Sequence, residues 1–132
     1  MNIFIDTSAL LAVLDADDAR HQRAKAFWEN AINAGDRFVS HNYVLVETSA
    51  LVGRRLGIEA FRIFERDVVS FLDIIWVTRE IHSAAASALL IAARRSLSLV
   101  DCVSFEIMGR TGIQTAFAFD RHFLDYGYEA VP

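Results

Sequence analysis

The chain has 132 residues, 54% of them hydrophobic, which is enough for one packed core and short for two, so we expect residues 1–132 to form a single domain. Its formal charge of −4 argues against a strongly basic nucleic-acid-binding protein, although Lys25 is the only lysine among 13 basic residues and arginine suits phosphate recognition. The single cysteine excludes an internal disulfide, and the lack of a long apolar run or a secretory signal favours a cytoplasmic protein over a membrane protein.

Short apolar runs alternate with amphipathic segments along the chain. In the first such segment, Ala24, Phe27, Trp28 and Ala31 recur at three- and four-residue spacing, which predicts a helix that ends at Gly35. In chain order, we predict a strand at 2–6, helices at 8–14 and 19–34, a strand at 37–41, helices at 43–56 and 58–72, a strand at 74–78, helices at 81–95 and 100–109, a strand at 115–119, a short helix at 121–126 and an edge strand at 128–131.

This alternation predicts the fold class. Strands separated by helical segments favour a layered α/β fold with a mainly parallel sheet, because parallel neighbours need long crossover connections. No repeat, low-complexity stretch or linker interrupts the pattern, and the one proline is Pro132, the last residue. We therefore expect a compact α/β domain.

Four acidic residues are candidate metal ligands. Asp6 and Asp120 each end a predicted strand, and Glu47 and Asp101 lie on predicted helices. Ligand sites form at the carboxyl ends of strands in an open parallel sheet, so Asp6 and Asp120 could project into one crevice. Carboxylates that lie close together raise each other's pKa, and a divalent cation is the usual compensation. Oxygen ligands select hard ions such as Mg²⁺ or Mn²⁺.

Each of these acids also has a purely structural interpretation. Asp6 and Asp120 could cap the helices that follow them, and Asp101 could favour the positive end of its helix dipole. Glu47 is harder to explain in this way because it interrupts the apolar stretch at residues 44–51. A glutamate on a buried helix face needs a partner or a metal ion, whereas a rotation of the helix would expose it.

Four segments resemble, in order and over nearly the whole chain, the PIN-domain family and in particular the VapC-type toxin ribonucleases. They are residues 5–10 (Ile-Asp-Thr-Ser-Ala-Leu), 46–57 with Val-Glu at the start and Arg-Arg-Leu-Gly at the end, 97–102 (Leu-Ser-Leu-Val-Asp-Cys) and 118–123 (Ala-Phe-Asp-Arg-His-Phe). Phe119 departs from the family, in which a small or hydroxyl residue often precedes the last acid. The resemblance implies a three-layer α/β sandwich with a five-stranded, mainly parallel sheet flanked by helices.

The resemblance also implies an activity, that of a metal-dependent endoribonuclease acting on single-stranded or loop RNA as the toxin of a toxin–antitoxin pair. The family's acidic quartet falls on Asp6, Glu47, Asp101 and Asp120. One Mg²⁺ or Mn²⁺ ion held by the three aspartates would activate water for in-line attack on phosphorus. Glu47 would share a second ion or act as a base, and the sequence does not choose between these roles.

Several neighbouring residues are candidates for supporting roles. Thr7 or Ser8 could hydrogen-bond a metal-bound water or a phosphate, or could simply cap the first helix. Arg54 and Arg55 are candidate RNA contacts, with a solvated helix end as the alternative. No histidine shows the spacing of a metal ligand, so we assign none. Cys102 is expected to fill the core.

The expected partners are RNA, a cognate antitoxin and a second copy of the chain. Phe61, Phe64 and Phe71 lie at helical spacing and read most simply as core or interface residues. In the family, that region resembles the groove in which an amphipathic antitoxin segment packs. The family and the mean hydropathy of +0.29 both favour a homodimer.

Three other classes of protein combine clustered acids or this fold with a different function. A response-regulator receiver needs a late lysine, but Lys25 lies early in the chain. A haloacid-dehalogenase-like phosphatase needs an aspartate two residues beyond the first one, where this chain has Ser8. A catalytically silent PIN-like module that binds another protein remains the alternative to an enzyme, and it would bind metal without RNA turnover.

Overall fold

Five parallel strands form one sheet in a computed structural model that describes all 132 residues. The strands are β1 (Asn2–Ile5), β2 (Arg37–His41), β3 (Leu72–Ile75), β4 (Thr115–Phe117) and β5 (Glu129–Val131). The helices are α1 (Thr7–Leu14), α2 (His21–Asn33), α3 (Asn42–Leu56), α4 (Ile58–Ile63), α5 (Arg79–Ala92), α6 (Leu99–Thr111) and α7 (His122–Asp125). The strand order is β3-β2-β1-β4-β5, and every pairing is parallel, which confirms the predicted five-stranded α/β fold.

Helices cover both faces of the sheet. On one face, the α2 residue Trp28 stacks on Phe38 of β2 with ring centroids 4.7 Å apart and nearly parallel planes. On the other face, Phe4 of β1 packs against Phe123 of α7 with ring centroids 5.9 Å apart. Right-handed crossovers explain this division, because the chain moves from β1 to β3 with α1 to α4 on one face and returns to β4 and β5 with α5 to α7 on the other.

The central strand β1 is the point at which the chain reverses its direction across the sheet. Its neighbours are β2 and β4, and Ile5, its last residue, pairs with Phe117, the last residue of β4. Two adjacent strands with connections that leave in opposite directions open a crevice at their carboxyl ends. Asp6 is the first residue beyond β1, so the fold places it at the floor of that crevice.

The predicted helix at residues 58–72 is α-helical only in its first part and ends at Phe71. The α-helix ends at Ile63 and continues as a π-helical turn (Phe64–Val68) and a 3₁₀ turn (Val69–Phe71). The chain has to leave the helix there because Leu72 already pairs with Phe38 in the sheet. Pairing between strands distant in sequence overrides the helical periodicity in this segment.

The third strand begins two residues earlier than predicted and ends before residue 76. An ion pair between Arg37 Nη2 and Asp73 Oδ2, 2.7 Å apart, lies at the edge where β2 and β3 pair. Beyond β3, the Val77 amide donates to Asn42 Oδ1 at 2.6 Å, and Thr78 caps α5 by accepting from the Ile81 amide. These hydrogen bonds replace the strand pairing that the apolar pattern predicts for residues 76–78.

Two further boundaries also differ from the prediction. Helix α5 ends at Ala92 rather than at residue 95, because Ala93 adopts a left-handed conformation with φ 51°. Strand β4 ends at Phe117 rather than at residue 119, because the Phe119 amide donates to Ser8 Oγ at 3.0 Å. Cys102, on α6, is buried in the small core between α5 and α6, as expected. None of the helices combines the length and apolarity needed to span a membrane.

Candidate metal centre and cleft

A cleft of about 390 Å³ opens at the carboxyl ends of β1 and β4, between these strands and the helices α1, α3 and α6. All four acids singled out in the sequence line it. The twelve lining residues are Asp6, Thr7, Ser8, Leu11, Asp18, Arg20, Glu47, Arg55, Ser96, Ser98, Asp101 and Asp120. The fold therefore brings together side chains from five separate segments of the chain, and only one of these residues is hydrophobic.

Asp6 lies at the floor of the cleft and is 4% exposed. It is the N-cap of α1, and its Oδ2 accepts hydrogen bonds from the Ser8 amide at 3.2 Å and the Ser8 hydroxyl at 2.8 Å. Burial raises the pKa of Asp6 to about 6, and the charges of Asp101 and Asp120 add to the increase. The capping role and the position in the acidic cluster are thus combined in one carboxylate.

Asp101 is held by the N-terminus of α6. Ser98 and Asp101 form a capping box, in which the Asp101 amide donates to Ser98 Oγ at 3.0 Å and Asp101 Oδ2 accepts from the Ser98 amide at 3.1 Å. The residue is 7% exposed, and this burial, together with the nearby Asp120, raises its pKa above the usual range. The capping box fixes the rotamer of the carboxylate, and the same Oδ2 lies 3.5 Å from His122 Nδ1 in the cluster.

The prediction that Asp120 ends a strand is wrong. This acid lies three residues beyond β4, in the loop before α7. Its Oδ1 accepts a hydrogen bond from the His122 amide at 2.9 Å, which fixes the loop. Its side chain is 30% exposed, so this acid lies at the open side of the cluster.

His122 belongs to the same cluster, although the sequence gave no reason to assign it as a ligand. Its Nδ1 lies 2.7 Å from Asp120 Oδ1 and 3.5 Å from Asp101 Oδ2, yet it is a buried nitrogen with no well-formed hydrogen bond. Ligand atoms of Asp101, Asp120 and His122 all lie within 4.8 Å of one another. The one feature of the sequence that could have pointed to His122 as a ligand is its position two residues after Asp120.

Glu47 lies on α3 and reaches the cleft wall from a half-buried position. Like Asp6, it is outside the group whose ligand atoms all lie within 4.8 Å of one another, but its charge, unlike those of Asp101 and Asp120, is not among the causes of the raised pKa of Asp6. The preceding residue, Val46, is 66% exposed, so α3 is less buried here than its apolar sequence indicates. Glu47 is therefore placed at the margin of the acidic cluster and not at its centre.

Thr7 and Ser8 both have structural partners. Thr7 Oγ1 accepts a hydrogen bond from Thr48 Oγ1 at 3.2 Å in a buried contact that joins α1 to α3. Ser8 Oγ donates to Asp6 and accepts from the Phe119 amide, so it joins the start of α1 to the loop that carries Asp120. Their hydroxyl groups position the acids that the cleft brings together.

The two arginines proposed as RNA contacts differ in position. Arg55 lines the cleft, whereas Arg54 is exposed on α3 outside the lining. The sequence also gave no reason to single out Arg20, which lines the cleft from the turn before α2. Asp18, beside Arg20, adds a fifth carboxylate to the lining. Neither residue occurs in a motif, so only the folded chain reveals them.

The donor set of the cleft fits a hard divalent cation. Three carboxylates converge, and burial and mutual repulsion raise the pKa values of Asp6 and Asp101, which means that the hydrogen bonds from Ser8 and Ser98 compensate their ionised forms only in part. A bound cation supplies that compensation and reverses the effect on the pKa values. The Nδ1 atom of His122, which has no well-formed hydrogen bond, offers a further ligand atom for a metal ion beside the carboxylates. Oxygen ligands of this kind suit Mg²⁺ or Mn²⁺.

Comparisons with known proteins define the class of the molecule. The model of the PIN domain matches residues 3–128. The chain is 36% identical to proteins named 23S rRNA-specific endonuclease VapC20 from two strains of Mycobacterium tuberculosis, over 98% of this chain and 97% of theirs. The crystal structure of M. tuberculosis VapC20, described as a sarcin–ricin loop cleaving toxin, matches with a TM-score of 0.86 and 35% identity, over 98% of this chain and 99% of that one.

A more distant structure shares the fold. The structure of FitAcB from Neisseria gonorrhoeae matches with a TM-score of 0.70 at 13% identity, over 100% of this chain and 97% of that one. The family match and the similarity to VapC20 over nearly the whole length support one conclusion. The chain belongs to the PIN-domain family, among the relatives of the VapC-type toxin ribonucleases. The resemblance seen in the sequence is thereby confirmed, as is the class of enzyme, an endonuclease that hydrolyses RNA.

Proposed function

We propose that the chain is a Mg²⁺- or Mn²⁺-dependent endoribonuclease toxin and that residues 1–132 act as a single nuclease domain. The convergence of Asp6, Asp101 and Asp120 in one polar cleft carries this proposal. A cluster of buried like charges is unfavourable for the protein alone, and it becomes favourable when a cation binds. Such a cluster at the switch point of a parallel sheet is the expected location of a metal-dependent site.

The proposed roles follow from the position of each side chain. Asp6, Asp101 and Asp120 would hold the ion, which when bound would supply Lewis acidity and lower the pKa of a bound water. Ser8 and Ser98 fix the rotamers of Asp6 and Asp101 through hydrogen bonds. These hydrogen bonds preorganise the cluster, so little rearrangement opposes the binding of an ion.

Glu47 has one of two roles in this proposal, either as a ligand of a second ion or as a general base. Its half-buried position at the margin of the cleft leaves its carboxylate accessible from the side on which RNA arrives. A base must reach the proton that it removes, through a direct hydrogen bond or through one water molecule. Both roles require Glu47 to keep its charge, so Glu47→Gln impairs cleavage in either case.

The substrate class follows from the relatives. The similar M. tuberculosis proteins are named for cleavage of 23S rRNA, and the crystal structure is described as that of a toxin that cleaves the sarcin–ricin loop. We propose that this chain likewise cleaves a loop of ribosomal RNA, and that it does so in the cytoplasm. Identity of 36% over 98% of the chain supports this transfer of substrate class.

Two exposed apolar surfaces support the proposed protein partners. Ile58, which is 68% exposed, and Phe61 line a groove on α4, which suits the apolar face of an antitoxin helix. Leu90 and Ile91 on α5 are 80% and 85% exposed and form a second surface, which suits a homodimer contact. Sedimentation of the purified chain, alone and with its antitoxin, tests both assignments.

The proposed activity is tested by cleavage of a labelled stem–loop RNA. The wild type is expected to cut the RNA with Mg²⁺ or Mn²⁺ and to be inactive with EDTA. Asp6→Asn and Asp120→Asn are expected to reduce the rate roughly 100-fold or more, because losing a ligand costs more than losing one of its hydrogen-bonding partners. Asp125→Asn is the matched control, because this acid lies on α7 outside the cleft and its loss should leave the rate unchanged.

Two outcomes contradict the proposal. If the wild type and Asp6→Asn cleave at the same rate, the acidic cluster has no role in the reaction. If the wild type binds Mn²⁺ in the cleft but cuts neither the stem–loop nor intact ribosomal RNA, the chain is the catalytically silent binding module instead.

A further inference from the structure

Only two of the cleft-lining residues are cations of the arginine or lysine type, Arg20 and Arg55. The lining contains five carboxylates in all, and the whole chain carries a formal charge of −4. RNA phosphates that approach this cleft therefore meet a negative surface, which weakens binding unless specific cations are placed beside the acids. Arg20 is one of two candidates for this role, and it lies outside every motif of the sequence.

Arg20 is held in a defined orientation by Asp18. Its Nε donates to Asp18 Oδ1 at 3.2 Å, its Nη2 donates to Asp18 Oδ2 at 3.3 Å, and its own amide donates to Asp18 Oδ1 at 2.8 Å. These hydrogen bonds also hold the pKa of Asp18 below its usual range. A bidentate contact fixes the plane of a guanidinium group, so Arg20 loses less conformational entropy when it binds a ligand.

Phe119, which is distant in sequence, contacts the same guanidinium group through its aromatic ring. The Arg20 Cζ atom lies 4.7 Å from the centre of the Phe119 ring, within the range of a cation–π interaction. Phe119 immediately precedes Asp120 and contacts Phe117 at the end of β4 edge to face. The aromatic ring thus connects Arg20 to the loop that carries an acid of the metal cluster.

The guanidinium group keeps unused donors. Arginine has five N–H donors, and the Asp18 contacts use one on Nε and one on Nη2. The remaining donors belong to Nη1 and to the second hydrogen of Nη2. With its side chain 43% exposed at the cleft, Arg20 can present them to a second anion without releasing Asp18.

We propose that Arg20, oriented by Asp18 and Phe119, binds a phosphate of the RNA next to the scissile bond. This inference rests on the proposed function, because it concerns how the same cleft holds its substrate. Arg20 acts in binding, and Phe119 is a positioning residue that acts through Arg20. Arg23 provides a natural comparison, since its Cζ also lies over the Phe119 ring, at 5.3 Å, yet it does not line the cleft.

The test measures the affinity for a fluorescent stem–loop RNA in Mg²⁺, with Asp101→Asn as the background so that cleavage is slow compared with binding. Arg20→Ala is expected to raise Kd roughly tenfold, as for the loss of hydrogen bonds to a charged group, and to reduce the salt slope by about one. Arg20→Lys keeps the charge without the bidentate geometry and is expected to give an intermediate Kd. Arg23→Ala should stay within about twofold of the background.

Two further variants test the positioning role of Phe119. Phe119→Leu keeps apolar volume but removes the aromatic face, and it is expected to raise Kd and KM with kcat preserved. Phe119→Tyr keeps the face and is expected to restore the wild-type affinity. A loss of affinity in both variants would mean that Phe119 acts through core packing, which overturns its role in orienting Arg20.

The same experiments separate this inference from the proposed function. If the wild type cleaves RNA while Arg20→Ala and Arg23→Ala bind it equally well, the phosphate contact is overturned and the nuclease assignment stands. If Arg20→Ala lowers kcat and leaves KM unchanged, Arg20 acts in the chemical step, and the inference again fails. If the wild type does not cleave any RNA, the proposed function itself fails.

Discussion

Two buried polar clusters on successive turns of α6 have contrasting electrostatics. In one, His41 of β2 and Ser104 of α6 are both fully buried, and burial lowers the pKa of His41 to about 3. His41 Nε2 lies 2.8 Å from Ser104 Oγ, Ser104 donates to the Val100 carbonyl, and the Val44 amide donates to His41 Nδ1. A neutral imidazole with its proton on Nε2 satisfies every polar atom of this cluster.

The acidic cluster one turn earlier on α6 is the opposite case. Asp101 and Asp6 are almost as buried as His41, but burial raises their pKa values, and their neighbours are further carboxylates. The protein satisfies the first cluster completely and leaves the second with excess negative charge. A folded chain tolerates such a cluster only at a cost in stability, which a bound cation removes. The contrast therefore separates a structural polar cluster from a functional one.

The largest expected effect is on the rate of RNA cleavage, and it is tested by comparing substitutions at two positions on α6. Asp101→Asn retains the hydrogen bond to the Ser98 amide but removes a charge from the cluster, so we expect the RNA cleavage rate to fall roughly 100-fold or more. Ser104→Ala alters the satisfied cluster and should leave the rate per folded molecule within about twofold. Single-turnover kinetics of both variants with Mn²⁺ measure the difference. Equal losses in the two variants would remove the distinction between the clusters.

The second prediction concerns the pH dependence of stability without metal. The pKa of Asp6 in the folded protein, about 6, is above the ordinary value of 3.8, so ionisation of Asp6 destabilises the folded state. The destabilisation is absent below pH 3.8, develops as the pH rises toward 6, and is constant above that pH. The shift of about two pKa units corresponds to roughly 3 kcal/mol at neutral pH.

The Asp6→Asn variant isolates this contribution, because asparagine keeps the N-cap. In EDTA, we expect Asp6→Asn to be more stable than the wild type by roughly 3 kcal/mol at pH 7 and about equal to it near pH 3.5. Urea unfolding at several pH values gives this difference. His41 titrates in the opposite sense, since its lowered pKa destabilises the native state as the pH falls from 6.5 toward 3, but it cancels when the two proteins are compared. A constant difference across the pH range would contradict the prediction.

The third prediction concerns the stability of the satisfied cluster. Ser104→Ala leaves the buried His41 Nε2 without its partner, and we expect a loss of about 1–3 kcal/mol in the free energy of unfolding. Saturating Mn²⁺ should raise the Tm of Ser104→Ala by as much as that of the wild type, and should raise the Tm of Asp101→Asn much less. Thermal unfolding with and without the ion checks both statements. Loss of the Mn²⁺ effect in Ser104→Ala would show that the two clusters are coupled.

The smallest expected effect concerns the rim of the acidic cluster, where two adjacent arginines are matched in charge but not in position. Arg55 lines the cleft and Arg54 does not. Arg55→Ala should therefore weaken the binding of a stem–loop RNA about threefold to tenfold, whereas Arg54→Ala should change it less than twofold. Titrations at two salt concentrations provide the measurement. If Arg54→Ala has the larger effect, RNA approaches over the outer face of α3 instead.

Sequence patterns predicted the elements of the fold well where local chemistry defines them. Gly57 separates α3 from α4, and the apolar run before Asp6 forms β1, as expected. The errors occur where a distant segment competes for the backbone. The helix that follows Gly57 ends at Phe71 because Leu72 pairs with β2, and β4 ends at Phe117 because the Phe119 amide donates to Ser8 Oγ.

The four acids could be singled out from the sequence because each has a recognisable local context, and their convergence follows from parallel strand order. The sequence could not predict how these acids differ in their distances from one another. Glu47 is marginal, and His122 approaches Asp101 and Asp120, because helix rotation and loop conformation decide these distances. The role of Arg20 could not be predicted from the sequence, because it depends on the turn before α2, which places the guanidinium group over the Phe119 ring.

The sequence by itself determined the α/β alternation, the family and the four candidate acids, because periodicity, caps and short motifs are properties of neighbouring residues. Only the tertiary structure decided which side chains share the cleft and how strongly burial changes their pKa values. The physical reason is that desolvation and charge repulsion depend on distances between segments far apart in the chain, and those distances exist only after the sheet has formed.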